Sequence, residues 1–151
     1  MNNRGLIFNP LKNIKYMKVN VIIEKGSDGT YDANMEYNEG LTFGLMGQGG
    51  SVKECIDDFF VTRDEMKLLY EEEGKNFPAD LEFCFKYDIP SFLQYYSNYL
   101  TLAGLSRITG VNQGQLSHYL TGHRRPSEKT VEKIQNALRE FGKEISQVSF
   151  V

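Results

Sequence analysis

The chain has 151 residues, of which 40% are hydrophobic and 25% are charged, a balance typical of a globular protein with one ordinary domain or two small ones. No stretch approaches the roughly 20 apolar residues of a membrane-spanning helix, and the first residues lack the apolar block of a secretory signal, so we expect a cytoplasmic protein without membrane contact. The two cysteines, Cys55 and Cys84, lie far apart and form no metal-ligand or redox motif, which favours buried free thiols.

Charge is distributed unevenly along the chain, although the net charge is only -3. Residues 1–16 carry three basic groups and no acid, residues 17–88 carry seven basic and sixteen acidic groups (net -9), and residues 89–151 carry seven basic and four acidic groups (net +3). An acidic unit joined to a basic one suits a chain that meets a cationic protein with one half and nucleic acid with the other. The alternative is that the acids form only a solvated surface.

Three strands are predicted after residues 1–16, an N-terminal extension without periodicity that we interpret as a flexible arm or the product of an early start codon. Apolar residues alternate with polar ones in three runs, which is the period of a half-buried strand. The runs are Val19, Val21 and Ile23, then Tyr31, Ala33, Met35 and Tyr37, then Leu41, Phe43 and Leu45. Gly26 to Gly29 tolerate positive φ and predict a hairpin turn between the first two runs.

A helix and a fourth strand complete a β-β-β-α-β order. The capping box Ser51–Glu54 predicts the helix start, and Gly74 and Pro78 predict its end. A second capping box at Thr62–Glu65 predicts a bend or break. The apolar stripe of the helix is Val52, Ile56, Phe59, Met66 and Tyr70, and the fourth strand alternates Leu81, Phe83, Phe85 and Tyr87.

No catalytic set is found in residues 17–88. The only histidines, His118 and His123, lie later in the chain, so nucleophilic catalysis by a Ser/His/Asp or Cys/His set has no candidate here. A metal-dependent nuclease would need carboxylates at strand centres, where the first strand has Asn20. We therefore expect no enzymatic activity, no metal and no cofactor.

Residues 89–151 predict four helices followed by a short C-terminal strand. Pro90 suits the first turn of the first helix, and Thr101, Asn112 and Ser127 can cap the other three. Gly110 and Gly122 can end the second and third helices. The tail alternates Ile145, Gln147, Ser149 and Val151 against Ser146, Val148 and Phe150, which predicts a strand. This strand would pair with the same strand of a second protomer or with the sheet of residues 17–88. The predicted fold class is α+β.

Two short helices joined through Gly110-Val111-Asn112 match the helix-turn-helix motif, whose second helix enters the major groove of DNA. The run from Leu102 to Leu138 resembles the Xre or phage-repressor-like domain, through Leu102-Ala103, Gly110-Val111, Leu116-Ser117, Gly122 and Pro126. The resemblance covers about the last 60 residues of the chain. It implies a DNA-binding domain over residues 89–151, acting on double-stranded operator DNA as a homodimer or higher oligomer.

Site residues follow from this resemblance by position. The residues expected to read base edges are Gln113, Gln115, Ser117 and His118. The residues expected to contact phosphates are Asn112, Arg124, Arg125 and Lys129. Gln115 and Ser117 could equally face solvent or bond the backbone, and Gly114 stands where the family often has a longer polar side chain.

Residues 17–88 resemble HicB antitoxins, through the hairpin Asp28–Tyr31 and the segment Gly47–Cys55. The family pairs a partial ribonuclease-H-like β-β-β-α-β fold with a C-terminal DNA-binding domain. Glu36–Gly40 replaces the proline-containing segment usual between the second and third strands. The resemblance implies a type II antitoxin that blocks a small basic HicA-type ribonuclease toxin and represses the shared operon. Two alternatives stay open: a repressor whose domain of residues 17–88 senses a small molecule, and a metal-dependent nuclease.

Overall fold

A computed structural model describes residues 6–9 and 14–151 of the chain, with side chains described from residue 16 onward. It divides into two compact units, Met1–Asp88 and Ile89–Val151. Within the described residues, the first unit has five strands and one helix, and the second has four helices. The predicted α+β class and the four C-terminal helices are confirmed.

One five-stranded sheet is built around a long central strand. The strands are β1 (Leu6–Asn9), β2 (Ile14–Lys25), β3 (Tyr31–Met35), β4 (Met46–Gly49) and β5 (Leu81–Tyr87). β1 and β3 pair antiparallel with successive parts of β2, and β4 pairs antiparallel with β3. β5 pairs parallel with β2. A parallel pair needs a crossover connection, which α1 (Val52–Glu72) supplies.

The helix α1 begins where the capping box predicts it. Ser51 Oγ accepts a hydrogen bond from the Glu54 amide at 3.2 Å, while Glu54 Oε2 accepts from the Gly50 amide at 2.9 Å. Val52, Cys55 and Phe59 are fully buried. They form the start of the helix face that packs on the sheet, so burial fixes both the start and the rotation of α1.

The predicted break near Thr62 is wrong, because α1 is continuous through this position. Apolar contacts before and after Thr62 explain the continuity. Phe59 meets Phe83 with ring centroids 5.1 Å apart, and Tyr70 meets Phe77 at 5.6 Å. An unbroken helix keeps both contacts on one face, whereas a break at Thr62 would rotate one of them away.

The predicted third strand is misplaced. Leu41 and Leu45 are buried, but they lie in a loop, and the strand β4 follows at Met46–Gly49. A Cβ on Gly47 would clash with the Cys55 carbonyl and the Phe59 amide, and one on Gly49 would lie 2.6 Å from the Cys55 amide nitrogen. Glycine is needed at both positions of the strand because α1 crosses it closely. This contact joins segments that are distant in sequence, so the local sequence pattern does not predict it.

Both ends of the chain also differ from expectation. β1 and the start of β2 lie within residues 1–16, where the sequence shows no alternation, and the rest of that segment falls outside the described residues. The predicted C-terminal strand is wrong, because α5 (Glu128–Ser146) includes its first two residues and residues 147–151 have no regular structure. The three- and four-residue spacing of apolar residues along α5 outweighs the short alternation of the tail.

The second unit is a four-helix cluster around one core. Its helices are α2 (Ile89–Tyr96), α3 (Leu102–Thr109), α4 (Gln113–Leu120) and α5. Each contributes one apolar side chain that is at most 2% exposed, namely Leu93, Leu105, Leu116 and Ile134. Burial of one such side chain contributes about 1.5–3 kcal/mol. Within the described residues, no helix has both the length and the apolar character needed to cross a membrane.

The close crossing of α1 over β4 predicts that Gly47→Ala is strongly destabilising. The new methyl group would meet the backbone of α1 at Cys55 and Phe59, which cannot move without shifting the helix. We expect a loss of about 1–3 kcal/mol or more in the free energy of unfolding, measured by urea denaturation. Gly44→Ala is the matched control, since nothing lies within 4 Å of a Cβ there. Equal stability of the two variants would contradict the proposed close approach.

Candidate nucleic-acid interface

The turn between α3 and α4 is compact and ends α3 in a left-handed residue. Gly110 has a φ of 66°, which favours glycine, and its amide donates to the Ser106 carbonyl at 2.9 Å. Val111 follows directly and is only 4% exposed. Its side chain packs in the core with Leu105 and Leu116, which belong to the two helices that the turn joins. The buried valine therefore fixes how α4 leaves α3.

Thr109 supplies the hydrogen bonds that this buried turn needs. Its hydroxyl donates to the Leu105 carbonyl at 2.7 Å and accepts from the Val111 amide at 3.2 Å. Both atoms of the second bond are buried, so the amide has no access to water as an alternative partner. Sequence reasoning missed this residue, because a threonine near a helix end has many ordinary explanations.

Lys133 on α5 is a second residue that the sequence did not indicate. Its ammonium group donates to the Gly110 carbonyl at 3.0 Å, across 23 positions of sequence. The carbonyl belongs to the C-terminal end of α3, where a positive charge is favourable. Lys133 thus connects α5 to the turn, and its position on the polar face of α5 is the only sequence signal that could have suggested it.

The N-terminus of α4 is capped by Asn112, as predicted. Its Oδ1 accepts from the Gly114 amide at 2.8 Å, which leaves the side-chain amide group as a donor. A Cβ on Gly114 would lie 3.0 Å from that same oxygen. The cap therefore leaves little room for a side chain at position 114, which gives a local reason for the glycine that departs from the family pattern.

The predicted base-reading residues lie on the outer side of α4, with one partial exception. Gln113, Gln115 and His118 are exposed, whereas Ser117 is half-buried. On the opposite side, Leu116 and Tyr119 are buried in the core. The helix thus presents a polar surface that begins at its N-terminal end, which is the end that reaches base edges in helix-turn-helix proteins.

The loop after α4 returns to the end of that helix. The Arg124 amide donates to the His118 carbonyl at 3.2 Å, and the rings of His118 and His123 lie 5.1 Å apart. Arg124 and Arg125 are exposed in this loop, and Lys129 is exposed in the first turn of α5. The structure therefore places Arg124 beside the C-terminal end of α4. Its exposed side chain can contact a molecule that binds to that helix.

No carboxylate occurs between residues 89 and 127, a range that spans α2, α3, α4 and the loop after α4 that carries Arg124 and Arg125, which we call the arginine loop. All four acidic groups of the second unit lie on α5, at Glu128, Glu132, Glu140 and Glu144. Residues 89–127 therefore contribute only positive or uncharged side chains to the surface around α4. Such a surface attracts the phosphate backbone of nucleic acid.

Comparison with known proteins identifies one part of the chain. Residues 96–140 match a family model described as helix-turn-helix. This range contains α3, the turn, α4 and most of α5. No curated protein and no solved structure matches the chain. The match supports a DNA-binding function for the second unit and leaves residues 17–88 without a comparison.

The hydrogen bonds of the turn predict that Thr109→Val is destabilising although it keeps the shape of the side chain. The valine would leave the buried Val111 amide without a partner, at a cost of about 1–3 kcal/mol in the free energy of unfolding. Thr109→Ser keeps the hydroxyl and is the control, losing only a methyl group. Chemical denaturation of both variants measures the difference. If Thr109→Val unfolds at the same denaturant concentration as Thr109→Ser, the hydroxyl does not hold the turn.

Proposed function

We propose that the chain is the antitoxin of a type II toxin–antitoxin pair, which represses its own operon through residues 89–151 and binds a small, basic HicA-type ribonuclease toxin through residues 17–88. The helix-turn-helix match makes the second unit that of a DNA-binding transcription regulator. One observation carries the DNA-binding part most directly: the exposed side of α4 and the loop that follows it carry no carboxylate.

The geometry of α4 supports distinct roles for its polar residues. Gln113 is exposed in the first turn of the helix, and its amide can bond N6 and N7 of adenine together. Gln115 and His118 are further candidates on the same exposed surface, while the half-buried Ser117 is the weakest of the four. Arg124 and Arg125 then contact phosphates, with Asn112 and Lys129 at the two helix N-termini.

A homodimer is part of the proposal. One helix-turn-helix unit covers only a short half-site, and two-fold symmetric proteins of this kind bind two half-sites about one helical turn apart. The operator should therefore contain an inverted repeat.

Two features of the first unit support the antitoxin assignment. Its elements from β2 to β5 follow the order β-β-β-α-β, with β5 parallel to β2, which is the order that the HicB resemblance implies. Exposed acids also follow α1 along most of its length: Asp57, Asp58, Asp64, Glu65, Glu71 and Glu72. An acidic surface favours rapid encounter with a basic toxin.

We further propose that the first unit has no catalytic activity of its own. Burial raises the pKa of the Cys55 thiol to about 11, with Asp32 and Asp58 adding to the shift, so this thiol stays protonated at neutral pH. A protonated, buried thiol is a poor nucleophile. Within the described residues, no three His, Cys, Asp or Glu side chains are grouped as metal ligands would be.

A second candidate function is a repressor whose first unit senses a small molecule. An open groove of about 560 Å³ lies beside α1 and β5 and favours this alternative. Phe60, Phe77 and Phe83 are among the apolar residues that line it. Arg63 and Lys67 supply positive charge, and Asp64, which pairs with Arg63 at 2.7 Å, supplies one negative charge. An apolar anion would suit such a groove. Release of operator DNA on addition of such a compound would favour this function over the antitoxin.

The loop arginines predict a change in the salt dependence of DNA binding. The double variant Arg124→Ala/Arg125→Ala should reduce the slope of log affinity against log salt by about 2, since each phosphate contact contributes roughly 0.9. Affinity for operator and for unrelated duplexes should fall alike. Arg139→Ala/Lys143→Ala, on the second half of α5, is the charge-matched control. A wild-type slope for the loop variant would remove the phosphate role of both arginines.

The antitoxin assignment predicts a stable complex with a small basic protein encoded beside this chain. Co-expression of the chain with the product of the adjacent reading frame, followed by purification through a tag on the chain, should yield both proteins. The neighbour alone should cleave RNA, and the complex should not. A neighbour that neither co-purifies nor cleaves RNA would contradict the antitoxin function while leaving DNA binding intact.

A further inference from the structure

The sequence of β5 is self-complementary about its central residue. On either side of Cys84, Phe83 matches Phe85, and Glu82 matches Lys86 with the opposite charge. Read against a second copy running in the opposite direction, each acid meets a base and each aromatic ring meets a ring. A strand with this pattern is suited to pairing with itself in the antiparallel direction.

The backbone of β5 leaves one edge turned away from the sheet. The Asp80 carbonyl accepts from the Met17 amide at 2.8 Å, and the Asp88 amide donates to the Ile23 carbonyl at 2.9 Å, so these two residues direct their polar groups toward β2. Backbone groups alternate in direction along a strand, which turns those of Phe83 and Phe85 outward. Within the described residues, β2 is the strand that pairs with β5.

We propose that β5 pairs antiparallel with β5 of a second copy of this chain, with the two-fold axis at Cys84. Phe83 of one copy and Phe85 of the other then exchange backbone hydrogen bonds, because both direct these groups outward. Cys84 meets its own counterpart as a non-hydrogen-bonded pair, with Cα atoms about 4.5 Å apart. Glu82 lies opposite Lys86 of the second copy, again as a non-hydrogen-bonded pair with close side chains.

The side chains on both faces of β5 suit pairing with β5 of a second copy. Toward α1, the rings of Phe83 and Phe85 pack on Phe60 at 6.0 and 5.9 Å, yet all three remain half-buried at this end of the sheet. The second copy would cover them with its own Phe85 and Phe83. On the other face, Glu82 and Lys86 are largely exposed, with only long contacts of 4.0 Å to Lys18 and 3.9 Å to Glu36.

The inference rests on the homodimer proposed above and names a surface that forms it, but it does not depend on the toxin. Other occupants of the edge are distinguishable. A toxin segment that paired with β5 would displace the second copy of the chain. The charges of Glu82 and Lys86 would then affect toxin binding and not the self-association of the chain. The tests below therefore use the full-length chain alone, and the toxin enters as a separate measurement.

Cysteine cross-linking tests the register. Mild oxidation with copper phenanthroline should join two copies through Cys84, since a Cα separation of about 4.5 Å lies within the range of disulfides. Cys84→Ser should abolish the covalent dimer, whereas Cys55→Ser should leave it unchanged because Cys55 is buried. In a Cys84→Ser background, a mixture of Glu82→Cys and Lys86→Cys chains should cross-link more than either chain alone.

Charge reversal at Lys86 tests the same strand pairing without cysteine cross-linking. Lys86→Glu places like charges opposite each other twice in the dimer, and its dissociation constant by sedimentation should rise about tenfold or more at low salt. The swap Glu82→Lys/Lys86→Glu should restore dimerisation. Glu36→Lys is the control, because it disturbs the same contact of Lys86 within one chain without touching the strand edge.

The outcomes separate the inference from the proposed function. A dimer that is insensitive to Lys86→Glu and does not cross-link through Cys84 overturns the β5 interface and leaves the homodimer standing. A chain that is monomeric at all concentrations and on operator DNA overturns both. If Lys86→Glu instead removes only co-purification of the neighbouring protein, the edge belongs to the toxin and the self-pairing is wrong.

Discussion

The placement of α4 depends on one buried residue, Val111, at the turn that follows α3. Because its side chain is 4% exposed and packs in the core, the turn cannot swing outward, and the outer surface of α4 is fixed relative to the rest of its unit. Burial of the valine also buries its amide, and Thr109 supplies the partner that the amide needs. Lys133 then ties the turn to α5. Buried backbone groups with hydrogen-bond partners thus hold α4 in one orientation within its unit.

Charge is segregated in a way that agrees with this arrangement. The carboxylates of the second unit are confined to α5, while seven of the sixteen in residues 17–88 lie on α1. The two units therefore present opposite potentials although the chain as a whole is only slightly acidic. A protein that binds DNA with one unit and a basic partner with the other needs this separation, because mixed charges on either unit would weaken both encounters.

Elements defined by local signals were predictable, and elements defined by distant contacts were not. The capped helices begin at Ser51, Thr101, Asn112 and Ser127, where a side chain accepts a first-turn amide. By contrast, β4 depends on the crossing of α1, and its glycines look like chain breaks when that crossing is unknown. The tail looked like a strand because its short alternation was considered apart from α5. In the site, the exposed residues of α4 followed from the motif, whereas Thr109 and Lys133 act through contacts that no motif encodes.

We propose that DNA binds to the outer surface of α4 and to the arginine loop. Amide chemical shifts of the full-length chain, recorded during titration with a duplex selected by the protein from a random pool, test it most directly. We expect the largest changes at Gln113–His118 and at Arg124 and Arg125, with small changes in residues 17–88. Changes centred on α1 or on the second half of α5, with α4 unaffected, would contradict it.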